Sequence, residues 1–291
     1  MLNALTVDVE ESFHATEVQT SLGASEWNSL PSRIDHQLQK TLDLCARRNV
    51  KATFFVLGWL AERYPRLVKN IASAGHEIGC HSYKHGLVYQ HTPGEFRKDT
   101  QRAVAAIADA CGLTPRIYRA PSYSITAKSL WALEILVECG FTHDSSIYPI
   151  AHDRYGIPGS DRQAHVIRTA TGPILEVPVA TVQLSAGRVI PIGGGGYLRL
   201  LPYRYTSAGI RRVNTTEGKP VCIYFHPWEL DADQHRLPLG LISRMRTYGG
   251  VAGMHGKIER LLEDFAFSTI SAVFPAIEQG LERPVVHAAA G

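Results

Sequence analysis

Asp8-Val9-Glu10, His81-Ser-Tyr-Lys-His85 and Phe225-His226-Pro227 together hold two carboxylates, two imidazoles four residues apart and a third imidazole far downstream. That is an inventory for metal-assisted hydrolysis. On a helical turn, residues four apart share one side, and at that spacing two imidazoles can hold one Zn²⁺ at ~2.0–2.1 Å. Alone, such a pair could be a surface feature; a carboxylate at a nearby strand end makes the metal reading the stronger. No Glu stands inside the pair, so the HExxH pattern is not met. On an extended strand Asp8 and Glu10 point the same way and Glu11 the other. One carboxylate can then ligate a metal while the other takes a proton from water, whose pKa a dication lowers to ~7. A lone histidine after an apolar strand is more often a packed core residue. Beside a metal site, His226 becomes the acid that protonates a leaving amine or alcohol.

A further fragment, Arg119-Ala-Pro-Ser-Tyr123, offers a guanidinium to orient a carboxylate and the backbone N–H of Tyr123 as an oxyanion donor. By itself it reads as a proline turn. Gly193–Gly196 followed by Tyr197 lacks the Lys-Ser/Thr of a phosphate loop and the strand–GxGxxG–helix order, so nucleotide binding is rejected; a close-approach substrate loop stays open. Trp228, Tyr197 and Pro121 are the candidate sugar contacts.

The elements that must position these groups alternate through the first half. Strands are expected at Ala4–Val9, Ala52–Leu57, Glu77–Cys80, Arg116–Arg119 and Phe141–His143. Helices are expected at Arg33–Arg48, Pro65–Ala74, from Thr92 to about Ala110, and at Thr126–Glu138. Pro65 near the helix start and Gly75 after its end are boundary signals, and Thr92 with Glu95 makes a capping box. The rhythm breaks between 150 and 205, where Glu176–Leu184 reads as extended. It resumes with a helix at Tyr205–Val213, a strand at Val221–Phe225, helices at Leu237–Tyr248 and Gly256–Phe265 and a strand at Phe267–Ile270. Repeated strand–helix units call for a parallel sheet with covering helices. The expectation is one α/β domain over 1–283, a (β/α) barrel with an irregular insertion around 150–205, and a frayed tail at 284–291. In a parallel barrel, functional residues stand at the carboxyl ends of strands, where Asp8, Glu10, His81, Arg119, Asp144 and His226 fall.

A net charge of +3 with no basic run longer than two residues excludes nucleic acid as the partner. Five cysteines without a CxxC pair read as buried, reduced thiols. No signal peptide and no apolar run of spanning length is visible, so a cytoplasmic location is the default expectation.

In this order the fragments resemble the NodB-type polysaccharide deacetylases, the carbohydrate esterases that remove N-acetyl groups from amino sugars. The resemblance covers roughly residues 4–150 and 215–230. It maps the family's first motif onto Thr6-Val7-Asp8-Val9-Glu10, its His-Ser/Thr-x-x-His motif onto His81 to His85, and its Arg-x-Pro-x-Tyr motif onto Arg119 to Tyr123. The aspartate that orients this arginine would be Asp144, and the leucine–x–histidine motif is replaced by Tyr224-Phe225-His226. Where the family has adjacent aspartates, Val9 stands at the second and Glu10 takes the ligand role. The stretch from Gly193 to Pro202, with Phe225 to Glu229, is similar to a bacterial subfamily tied to exopolysaccharide loci of exosortase systems.

The resemblance implies a distorted barrel of NodB-homology type that hydrolyses the N-acetyl amide of an amino sugar and releases acetate. Asp8 would be the base and His226 the acid. Glu10, His81 and His85 would hold a divalent metal, zinc first among the candidates, and the Tyr123 N–H would support the oxyanion. The rivals are an allantoinase-like amide hydrolase on the same barrel and a degenerate carbohydrate-binding module. Retention of both His81 and His85 disfavours the first. The polysaccharide and the oligomeric state stay open.

Overall fold

The computed structural model describes residues 1–19, 26–184, 187–276 and 285–287. Its strands in chain order are β1 (Leu2–Val9), β2 (Thr53–Val56), β3 (Glu77–Cys80), β4 (Ile117–Tyr118), β5 (His143–Asp144), β6 (His165–Thr169), β7 (Gly172–Glu176), β8 (Thr181–Gln183), β9 (Val189–Pro191), β10 (Cys222–Phe225), β11 (Ala266–Ser268) and β12 (Val285–His287). The main sheet runs β10-β1-β2-β3-β4-β5-β7-β6-β12, with β11 also on β1. From β10 to β7 every pairing is parallel. Beyond β7 the chain closes the ring: Ala180 N–H donates to the Cys222 carbonyl on β10 (3.0 Å). The result is the expected α/β architecture, a distorted (β/α) barrel.

Alternation along β1 sorts its side chains into two environments. Leu5, Val7 and Val9 face outward into the large core shared with the helices. On the other face, Ala4 joins Phe55, Ile117, Leu175, Cys222, Ile270 and Phe274 in a separate apolar floor inside the ring. Thr6 and Asp8 share the face of Ala4 and lie above that floor. The helix Ile270–Val273 closes the bottom, capped by the Thr269 hydroxyl, which accepts from Ala272 N–H (3.2 Å).

The Thr92–Glu95 capping box forms, and the helix it opens, Pro93–Cys111, ends at Gly112, whose φ of +75° suits a residue without Cβ. The helices at Ile34–Arg47 and Pro65–Ser73 fall where expected. The helix expected from Thr126 begins instead at Trp131, because Thr126 N–H is taken by the Ser129 hydroxyl at 2.9 Å and the chain turns first.

The stretch 150–205 is more ordered than an irregular insertion. It holds the antiparallel hairpin β6–β7, the small β8–β9 pair and a helix at Gly195–Leu200. Its strand β7 is part of the barrel wall, so the expectation of an insertion is corrected. Val285–His287, expected to fray, pairs with β6; 284 and 288–291 lie outside the described residues. The five cysteines are free thiols. Among the described residues, no helix is long and apolar enough to cross a membrane.

Candidate active site

The carboxyl ends of β1, β3, β4 and β10 open into a cavity of about 530 Å³, which Asp8, Glu10, His81, His85 and His226 border. Glu10, His81 and His85 each aim one ligand atom at a common point, and those atoms lie within 4.8 Å of one another. Glu10 Oε2 is 2.8 Å from His85 Nε2 and 3.9 Å from His81 Nε2, yet it is buried with no well-aligned donor. His81 Nδ1 donates to the Arg119 carbonyl (2.8 Å), which leaves Nε2 bare and turned to Glu10. Indole Nε1 of Trp228 donates to Glu10 Oε1 (3.4 Å) and holds the carboxylate in place. A buried carboxylate oxygen converging with the Nε2 atoms of two imidazoles, each ring held through its Nδ1, fits a divalent cation; a tetrahedral ion held by three protein groups keeps one open position.

The His pair converges for a different reason than expected. Residues 81–85 form no helical turn: Ser82 and His85 take left-handed φ values of 66° and 53°. The Ser82 hydroxyl accepts from His85 N–H (3.0 Å). This tight bend brings the ring centroids to 5.3 Å.

Arg119, wholly buried, stands in the middle of the ring. Its guanidinium donates to Thr6 Oγ1 (2.7 Å), Asp8 Oδ1 (2.8 Å), Ser145 Oγ (2.8 Å) and Ser145 O (3.2 Å). The Phe55 ring lies below it at 4.2 Å. Burial disfavours its charge, but Asp8 outweighs that and raises its pKa. The arginine therefore fixes one oxygen of Asp8.

Asp144 is not among the partners of Arg119, which corrects the role the resemblance gave it. Its carboxyl turns instead to the Ser146 hydroxyl and to the buried carboxyl of Glu176. Ser145 takes the place beside Arg119, because side chains alternate and Asp144 and Ser145 point to different sides of the strand end. Burial pushes Asp144 up to about 6. It raises Glu176 well above the ordinary range, with the Asp144 charge adding to the effect. Both carboxyls are biased toward the protonated form.

His226 follows β10. Its Nδ1 lies 3.0 Å from Glu229 Oε2, and its Nε2 lies 3.5 Å from Glu10 Oε1. The other oxygen of Glu229 is paired with buried Arg199. Burial alone would lower the His226 pKa, but the charges of Glu229 and Glu10 raise it to about 9. His81, by contrast, is lowered to about 4, first by burial. The imidazoles divide into a neutral one suited to ligation and a protonated one suited to acid catalysis.

The remaining candidates are corrected in part. Tyr123 N–H donates to the Ala120 carbonyl (3.1 Å), since left-handed Ser122 and Tyr123 curl the chain into a tight turn. The N–H proposed as oxyanion donor is therefore committed to that turn. Its side chain borders the cavity, with a hydroxyl that has no partner. Pro121 is buried at the start of the turn and does not border the cavity. Trp228 borders it but is 3% exposed; it stacks on His226 at 5.3 Å and positions Glu10 and His226 rather than offering an open face. Tyr197, half-buried, does border the cavity. The glycines before it serve the wall: a Cβ on Gly194 would stand 1.9 Å from the Tyr224 carbonyl, and one on Gly193 2.2 Å from Val179.

Sequence reasoning passed over Glu229, Arg199 and Glu176. Glu229 was readable, three residues after His226 on a short turn that returns its carboxylate to the ring. Nothing local points to Arg199 or Glu176, whose partners are distant in sequence.

The barrel and its Glu-His-His centre place the molecule among the NodB-type barrel proteins. The polysaccharide deacetylase family model matches residues 29–142, and a domain of unknown function, DUF3473, matches 145–275. Residues 29–142 thus carry the sequence pattern of the polysaccharide deacetylase family. The chain is 38% identical over 96 residues to a peptidoglycan-N-acetylglucosamine deacetylase of Bacillus cereus, covering 33% of this chain and 35% of that protein. It is 29% identical over 134 residues to a chitooligosaccharide deacetylase of a Bradyrhizobium strain, covering 45% and 58%. The chain thus spans less than two thirds of these relatives. A solved Mycobacterium smegmatis structure assigned to the polysaccharide deacetylases superposes with a TM-score of 0.61 at 19% identity, over 97% of this chain and 95% of that one. A family 4 carbohydrate esterase of Streptomyces lividans gives 0.51 at 16% identity, over 95% and 96%. Both show the shared fold.

The two matched regions divide the site between them. His81, His85, Arg119 and Tyr123 fall in the first. His226, Trp228, Glu229 and Arg199 fall in the second, and Asp8 and Glu10 precede both. β5 lies between the two regions, and strands from both sides pair in one sheet.

Proposed function

We propose that the protein is a metal-dependent N-deacetylase that hydrolyses the N-acetyl amide of an amino sugar in a polysaccharide or its precursor. The observation that carries this reading is the buried Glu10–His81–His85 cluster on the cavity floor, with His226 beside it. Glu10, His81 and His85 would hold the cation, zinc first among the candidates. When bound, it would supply Lewis-acid chemistry, polarising the acetyl carbonyl and acidifying water.

Asp8 borders the same cavity with one oxygen anchored to Arg119, which orients it to accept a proton from water. His226, protonated at neutral pH and held through Nδ1 by Glu229, directs Nε2 toward the cluster. There it protonates the departing amine. The tyrosines and apolar side chains of the wall surround a sugar ring and exclude bulk water. The relatives named for deacetylation of peptidoglycan N-acetylglucosamine and of chitooligosaccharides support an N-acetylated glycan as substrate. The sequence likeness to exopolysaccharide-locus proteins makes an exopolysaccharide the first substrate to test.

Elemental analysis of the purified protein, joined to acetate release from chitooligosaccharides and an N-acetylated exopolysaccharide, tests the proposal. Stoichiometric metal and metal-dependent acetate release are expected. Full metal occupancy with no acetate from any N-acetyl sugar would count against it.

A further inference from the structure

The helix Leu241–Tyr248 turns its apolar side chains outward. Leu241 is 83% exposed, Ile242 66% and Met245 57%, although Thr247 and Tyr248 on the same helix are buried. Leu200, itself 48% exposed, reaches the end of this helix: its Cδ2 would stand 2.9 Å from a Cβ on Gly249. The patch is continuous with the cavity, which Leu200, Leu201, Arg246 and Thr247 border. Thr247 carries a buried hydroxyl without a partner among the described residues.

The sequence through this helix is rich in basic residues. From 234 to 258 the sequence contains no aspartate or glutamate, while Arg236, Arg244, Arg246 and Lys257 fall inside that window. The three arginines are exposed. The flanking acids are Asp233, which is exposed, and Glu259, which pairs with Arg48 at 3.3 Å.

Apolar side chains projecting from a short helix, ringed by arginines, suit a surface that is greasy at one depth and anionic at the next. A bilayer interface containing acidic lipids has that profile. We propose that Leu241–Tyr248 docks the protein peripherally on an anionic lipid bilayer, with the cavity mouth turned toward glycans held at that surface. The helix has eight residues, too few to cross a bilayer, so it lies in the interface. What the cavity meets there rests on the deacetylase reading. The docking itself does not, and its assay contains no sugar.

The test is flotation of the full chain with vesicles of phosphatidylcholine alone and of phosphatidylcholine mixed with phosphatidylglycerol. Binding is expected to the mixed vesicles and to weaken with salt. It should fall roughly fivefold for each of Arg236→Gln and Arg244→Gln, and be lost in a Leu241→Ser, Ile242→Ser, Met245→Ser variant. That variant should keep the wild-type melting temperature and turnover of a soluble N-acetyl sugar, because none of the three side chains borders the cavity. Absence of binding to the acidic vesicles, or binding indifferent to the triple substitution, overturns the proposal. So does a dimer that the triple substitution disperses without any vesicle binding, since the patch would then belong to a second copy of the chain. A wild-type protein that releases acetate but binds no acidic vesicles condemns the docking alone; one that binds them but releases no acetate condemns the deacetylase reading alone.

Discussion

Nδ1 of His226 stands 3.0 Å from Oε2 of Glu229, and Arg199 pairs with the second oxygen of that carboxylate. His226 is thus the half-buried end of a three-residue chain of charges whose other members are buried. Arg199 keeps Glu229 ionised, and ionised Glu229 keeps His226 protonated.

Replacing Glu229 by Gln leaves a hydrogen-bond partner but removes the charge. The folded-state pKa of His226, about 9, is raised by Glu229 and Glu10 against the lowering effect of burial, so it should fall. The alkaline limb of the kcat/KM profile should move to lower pH by a unit or more, with ~tenfold or greater loss at pH 8. His226→Ala should cost ~10²–10⁴-fold at every pH. An alkaline limb unmoved in Glu229→Gln would remove His226 from the acid role.

Metal content should follow the three converging side chains. Glu10→Ala, His81→Ala and His85→Ala should each purify with substoichiometric metal, and chelation of the wild type should abolish acetate release reversibly. Trp228→Phe removes the indole N–H on Glu10, with part of the ring that stacks on His226, and should weaken metal affinity ~10–100-fold, as loss of an outer partner does. A Glu10→Ala protein that keeps full metal occupancy would show that the carboxylate is not a ligand.

Arg119→Met leaves the Asp8 carboxylate without its buried partner. Removing one member of such a pair costs about 3–5 kcal/mol, read as a lower urea midpoint. Activity should fall as well, since Asp8 loses its anchor. Arg119→Lys cannot reach Thr6, Asp8 and Ser145 together and should be intermediate.

The Asp144–Glu176 pair gives stability a pH dependence of unusual sign. Burial, and for Glu176 the neighbouring Asp144 charge, raises both pKa values above their unfolded values. The protonated pair is favoured in the folded state. Its contribution is therefore complete below the unfolded carboxyl pKa values and is lost as pH rises through about 6 and beyond. Glu176→Gln mimics the protonated acid and should melt close to the wild type at pH 5. At pH 8.5 it should melt above it by several degrees, about 2–4 °C per kcal/mol regained. Parallel melting curves across that range would show that the pair does not titrate.

Much of this arrangement could be read from local pattern. Period-two alternation in Ala4–Val9 put Asp8 and Glu10 on one face, the Thr92–Glu95 spacing marked a helix start, and the strand ends collected the chemical groups. What escaped depends on contacts between distant residues. Arg119 lost Asp144 and gained Ser145 through the pleat of a two-residue strand, too short to show any period. The bend at Ser82 and His85 rests on left-handed backbone that residue type does not announce. The β6–β7 hairpin was hidden by the prolines and glycines around it, and Glu176 by the burial of its partner.

The ring of strands has a seam, where the segment after β7 reaches β10 through Ala180 and the glycines at 193 and 194 press against Tyr224. His226, Asp8, Glu10, His81 and Arg119 all stand on the uninterrupted run from β10 through β1 to β4. Tyr197, Ile190 and Pro191 stand by the seam. Amides at Ala180 and Tyr224 should therefore exchange with solvent ahead of those in β1 to β3. On the proposed reading, a long polymer would enter by parting the wall there, with Asp8, Glu10 and His226 left in place.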